Sequence, residues 1–214
     1  GGECEDLIKV PKDRSGKFVL VARRLEYAKC VTSAIICGFP ALLEGPAAVG
    51  KTAMITMLAE NWNSTTDSSE IQLERVNNTQ TTTIEDYFGT FVPHGSGLVF
   101  KKGNLYKALE EGHWFLADEL NLADPNIMSI LAPLLEGAHS ILVPGKEERL
   151  TVHPKFRFFA TQNPAGGTYA GRNKLPTTLR SRFMEIQVQE FSTAEDTNEE
   201  DELSHILHKR QDNA

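Results

Sequence analysis

The 214-residue sequence predicts an α/β domain in which a five-stranded parallel sheet lies between helices, and three observations support this. Five short apolar strands alternate with helical stretches, a pattern that favours parallel pairing because each crossover carries a helix. The run Gly45-Pro46-Ala47-Ala48-Val49-Gly50-Lys51-Thr52 sits between the first strand and a helix, in the pattern G-x-x-x-x-G-K-[ST]. A second apolar strand ends in two adjacent acids, Asp118-Glu119.

Taken in order, residues Leu25 to Cys37 read as a helix, and Ala41 to Glu44 as the strand that feeds the glycine loop. Ala53 to Ala59 continues the loop as a helix, and the polar Ser/Thr-rich stretch from Asn61 to Ser69 reads as a surface loop. Ile71 to Val76, Trp114 to Ala117, Phe156 to Thr161 and Met184 to Val188 are the other four strands. Two segments read as insertions. Gly89 to Gly103 places Leu98-Val99-Phe100 among four glycines, and Ser140 to Val143 with Arg149 to Val152 flank Pro144-Gly145; both patterns predict β-hairpins. Beyond the last strand, Asp201 to Lys209 reads as one short helix. The chain therefore divides into a lead-in over residues 1–24, an α/β core over 25–190, and an acidic linker with the start of a truncated helical lid over 191–214. The Gly1-Gly2 start without an initiator Met is what an engineered expression product or an excised segment is expected to show.

Composition excludes several function classes. Hydrophobic content of 40% and charged content of 24% are those of a globular domain. No apolar run approaches the ~20 residues of a membrane span, and no signal peptide is visible. The net charge of -7 arises in one stretch, where Glu190, Glu195, Asp196, Glu199, Glu200, Asp201 and Glu202 occur without a Lys or Arg. Elsewhere 22 acids balance 22 bases, so no broad basic face for nucleic acid is expected. The acidic stretch reads as a solvated linker. Cys4, Cys30 and Cys37 show no metal-ligand spacing; they predict a reducing compartment, with thiols used as small packing residues. The sequons at Asn63 and Asn77 are read as coincidental.

The glycine loop names a phosphate ligand. Its glycines let successive N–H groups of residues Gly45, Pro46 (which lacks one), Ala47, Ala48, Val49 and Gly50 curl toward phosphate oxygens, and the following helix adds its positive end. Lys51 would reach the β- and γ-phosphates and the Thr52 hydroxyl would hold Mg²⁺. Asp118, at a strand end, would stand beside that Mg²⁺, and Glu119 would polarise an attacking water; a helix N-cap is the other reading of the pair. Asn163, in Ala160-Thr161-Gln162-Asn163-Pro164, either holds that water at the sheet edge or makes an Asn-Pro turn. In Leu179-Arg180-Ser181-Arg182-Phe183, Arg182 is the first candidate for an arginine supplied in trans to a neighbouring site, and Arg180 the second.

In this order and spacing the motifs resemble those of an AAA+ ATPase module of the MoxR, dynein and midasin clade. The stretches from Gly112 to Ala123 and from His153 to Pro164, with Tyr169-Ala170-Gly171-Arg172, are most similar to midasin-type domains, and the resemblance runs from about Glu26 to Val188. Ala117 departs from it, standing where a second aliphatic residue is usual before the acid pair. The resemblance implies a P-loop NTPase core with a helix-2 insert and a pre-sensor hairpin, ATP and Mg²⁺ as ligands, and a lid largely absent here. It also implies neighbouring AAA+ modules in a ring as partners, a nuclear location, and a role in removing protein assembly factors from large-ribosomal-subunit precursors. Nucleic-acid or membrane binding is not expected. The alternatives are a MoxR-type chaperone built as a separate-subunit hexamer, cytoplasmic in that case, and a structural module that holds nucleotide without turnover.

Overall fold

The computed structural model describes residues 22–65, 70–164 and 175–189. The predicted segments at Cys4, Tyr169–Arg172, the acidic stretch and the 201–209 helix lie outside them.

Apolar alternation along the strands builds the sheet. In β5 (Trp114–Asp118), Trp114 and Leu116 face one side while Phe115 and Ala117 face the other, and all four are buried. β1 (Ala41–Glu44) and β8 (Arg157–Gln162) alternate in the same way, with Leu43 and Phe159 on the first side and Leu42, Phe158 and Ala160 on the second. Side chains of period two can fill two cores only if both faces are covered. The first face is covered by α1 (Ala22–Cys37) and α2 (Lys51–Thr65). The second is covered by α3 (Ile84–Phe88), α4 (Asn104–Glu111), α5 (Pro125–Leu135) and α6 (Thr177–Arg180).

With β2 (Leu73–Asn77) and β9 (Met184–Gln187), the sheet runs in the order β2-β5-β8-β1-β9, and every pairing is parallel. The five predicted strands are thus all present, the first with its predicted ends and the others with ends displaced by at most two residues. The order matters for the site. β8, late in the chain, is inserted between the loop-bearing β1 and the acid-bearing β5, so three strand tips carrying polar residues lie side by side.

Both predicted hairpins form: β3 (Gly89–His94) with β4 (Gly97–Lys102), and β6 (Ser140–Leu142) with β7 (Arg149–Thr151). Phe91 and Phe100 meet edge-on across the first hairpin at 5.2 Å, while Leu98 and Val99 remain exposed. Among the described residues no helix is long and apolar enough to cross a membrane.

Two expectations are corrected. Residues 61–65 are helical rather than loop, because α2 continues to Thr65: Asn61 is buried and donates to the Met57 carbonyl at 2.8 Å, and Trp62 packs on Trp114 at 5.6 Å. Cys30 and Cys37 are exposed thiols, not packing residues, since α1 buries Ala28, Val31, Ala34 and Ile35 instead. Phe159, buried at the sheet centre against Trp114, anchors this face. Phe159→Ala is expected to lower the unfolding free energy by about 3–5 kcal/mol in urea titrations.

Candidate functional site: a phosphate cradle at three strand tips

The loop between β1 and α2 turns because its backbone can. Gly50 takes φ +88, a conformation that favours glycine. Gly45 is pressed against the residue that follows β9, and a Cβ there would stand 2.0 Å from the Val188 carbonyl oxygen. Ala48 also adopts a positive φ of 63. These turns bring the loop round to the N-terminus of α2, whose first turn carries no acid to compensate its positive end. Residues Ala47 to Ala53 line a cleft of about 300 Å³ together with Asp118, Glu119, Thr161 and Asn163.

Three strand tips are wired together across this cleft. The buried Lys51 ammonium donates to the Gly45 carbonyl at 2.7 Å, the Pro46 carbonyl at 2.6 Å and Asn163 Oδ1 at 2.8 Å. The amide nitrogen of Asn163 in turn donates to Glu119 Oε1 at 3.0 Å. Asn163 is 3% exposed and bridges the lysine of the loop to the second acid of the pair, which a plain Asn-Pro turn would not do. Glu119 stands in the left-handed region with φ 52, at the start of a 3-10 turn over Leu120–Leu122. Its side chain makes no capping bond there, which sets aside the N-cap reading. Capping of α5 belongs to Asp124, whose carboxylate accepts from the Asn126 N–H at 2.7 Å.

Asp118 faces the other end of the cleft. The Thr52 hydroxyl lies 3.1 Å from both carboxylate oxygens, Thr161 donates to Oδ1, and Arg75 pairs with Oδ2. A threonine hydroxyl facing a carboxylate is a hard-oxygen donor set that suits Mg²⁺. Among the described residues no cluster of three or more His, Cys, Asp or Glu could hold a metal alone. Both ligands implied by the loop therefore fit the residues present.

Some residues of this site carry no motif signal. The Thr161 hydroxyl serves Asp118 and also accepts from the Glu119 N–H at 3.0 Å, holding both acids. Asn78 donates to the Asp118 carbonyl at 2.8 Å and accepts from the Tyr87 hydroxyl at 2.8 Å. Burial pushes the Tyr87 phenol well above its ordinary value, so it stays a donor.

The two arginines lie away from the cleft lining. Arg182 pairs with Glu136 at the end of α5 and lines a separate groove with Asn121, Pro125 and Met128. Arg180 is tied inward, to Glu44 at 2.8 Å and Glu185 at 2.7 Å.

A parallel sheet of this strand order, with a phosphate loop on one tip, an acid pair on another and a polar reporter between them, defines a P-loop ATPase module of the AAA+ class. The chain belongs to the AAA domain family, dynein-related subfamily, whose match covers residues 40–183. It is 36% identical over 184 residues to midasin of Giardia intestinalis and 37% identical over 172 residues to midasin of Dictyostelium discoideum. These matches cover 85% and 80% of this chain, but the chain spans only 4% and 3% of those relatives' lengths. Within the family it is thus a midasin-like module. The fold also matches the crystal structure of a provisionally assigned ATPase from Cytophaga hutchinsonii, with a TM-score of 0.61 and 22% identity, over 89% of this chain and 52% of that one.

The Thr161 contacts yield a test. Thr161→Val keeps the shape but takes the acceptor from the part-buried Glu119 N–H and leaves Asp118 Oδ1 with the Thr52 hydroxyl in place of two donors. It is expected to cost about 1–3 kcal/mol of stability, whereas Thr161→Ser stays near wild type in the same melts.

Proposed function

We infer that this domain binds ATP with Mg²⁺ at the three strand tips and hydrolyses it as one module of a midasin-like ring. The Lys51–Asn163–Glu119 bridge is the observation that carries this reading, because it joins the phosphate-facing cation to the base through a single amide. Lys51 and the loop N–H groups of Gly45 and residues 47–50 neutralise the β- and γ-phosphates. Thr52 and Asp118 would hold Mg²⁺, which when bound spreads the charge developing on the transferred phosphoryl group. Asn163 orients a water against the γ-phosphorus. Glu119 takes its proton as the O–P bond forms and the bond to the leaving ADP oxygen breaks.

Arg182 stands apart from its own cleft and is assigned to the next module's ATP, where its guanidinium stabilises the transition state in trans. Neighbouring modules are therefore partners in the chemistry. By likeness to midasins, the ring's work is to release protein assembly factors from large-ribosomal-subunit precursors in the nucleus.

Two measurements test this. In the assembled ring, Glu119→Gln is expected to keep nucleotide binding and lower turnover at this site by about 10²–10⁴-fold. A wild-type site no faster than the variant would mark a module that only holds nucleotide. The isolated 214-residue chain is expected to turn over slowly while monomeric and to accelerate with self-association. Brisk turnover by the monomer would remove Arg182 from the mechanism.

A further inference from the structure

We propose that Arg75 is a positioning residue that sets how much Mg²⁺ the site requires, because its guanidinium and the metal compete for the Asp118 carboxylate. The inference rests on the reading of Thr52 and Asp118 as the metal-facing pair.

Arg75 lies on the edge strand β2, beside the strand that carries the acids. In the parallel register it is opposite Leu116, while Asn77 is opposite Asp118. Its side chain therefore starts two residues short of the carboxylate and runs along the sheet face that α2 covers, where its Nη2 pairs with Asp118 Oδ2. The backbone beneath it is pinned, since Asn104 donates to the Arg75 carbonyl at 2.7 Å. The side chain itself is 47% exposed, against 8% for Asp118. An anchored backbone and a half-exposed side chain let the guanidinium leave the carboxylate without disturbing the sheet.

The partners of the carboxylate show why the two cations compete. A carboxylate offers about four acceptor positions. Thr161 takes one on Oδ1, Thr52 bridges both oxygens, and Arg75 takes one on Oδ2. Thr161 and Thr52 are neutral hydroxyls, whereas Arg75 brings a full charge that it cannot lose by deprotonation. A buried carboxylate needs a cation, and either Arg75 or a divalent ion meets that need. With both present, like charges a few ångströms apart repel and the metal binds less tightly. Arg75 thus tunes the site towards higher Mg²⁺ demand and keeps Asp118 aimed at Thr52.

The test uses the 214-residue chain, a fluorescent ADP analogue and a Mg²⁺ titration of its binding. Arg75→Gln is expected to lower the half-saturating Mg²⁺ concentration by about three- to tenfold at low salt, the effect shrinking as salt rises. Arg75→Lys, which keeps the charge, is expected to stay closer to wild type. A folded Arg75→Gln protein whose half-point is unchanged or raised would overturn the proposal. The second measurement needs no variant. In a crystal structure of the wild type with Mg²⁺ and ADP, the Arg75 guanidinium is expected to have left Asp118 Oδ2; its persistence there beside a bound metal would overturn the proposal as well. Wild-type protein that binds no nucleotide at any Mg²⁺ concentration would instead refute the nucleotide-site reading beneath it.

Discussion

The fold converges on one buried hydrogen-bonded bridge, from Lys51 through Asn163 to Glu119. Each member comes from the end of a different strand: Lys51 follows β1, Asn163 follows β8 and Glu119 follows β5. The bridge exists only because the sheet places β8 between the other two. The apolar faces of those strands, packed on both sides, hold the three tips at hydrogen-bond distance. A charged ammonium buried at this depth is tolerable because two loop carbonyls and the Asn163 amide oxygen satisfy it. One amide then reports to both partners. Whatever draws Lys51 forward also changes what holds the carboxylate of Glu119.

Around this bridge the acids are held from behind. Thr161 and Asn78 reach Asp118 and the Glu119 backbone from neighbouring strands, and Tyr87 backs Asn78. Orientation therefore comes from these neutral donors together with the Arg75 guanidinium on Asp118 Oδ2, all set in place by the sheet. Arg180 and Arg182 form a separate system. Arg180 ties α6 to Glu44 at the root of the phosphate loop, while Arg182, two residues on, reaches to the end of α5. That short segment thus ties the end of β1 to the end of α5.

Much of this was legible in the sequence because it rests on local chemistry. The glycine loop, the acid pair and the apolar strands are readable from residue types alone, and Pro144-Gly145 marks a hairpin that does form. What could not be read depends on distant partners. Asn61 and its Ser/Thr neighbours look like a loop, yet Trp62 packing on Trp114 extends the helix. Cys30 and Cys37 looked like small packing residues, but the turn of α1 sends them outward. Thr161 and Arg75 carry no motif signal in the sequence. Their contacts to Asp118 follow from parallel register, which no local pattern encodes.

Nucleotide binding by the Lys51→Ala protein, compared with wild type by calorimetry with ATP and Mg²⁺, addresses the central claim most directly. If the strand-tip bridge is a phosphate site, removing the ammonium weakens ATP binding by about 100-fold or more, as expected for loss of a buried charge partner, while the thermal melt still shows a folded domain. ATP affinity equal to wild type in a folded Lys51→Ala protein would contradict it.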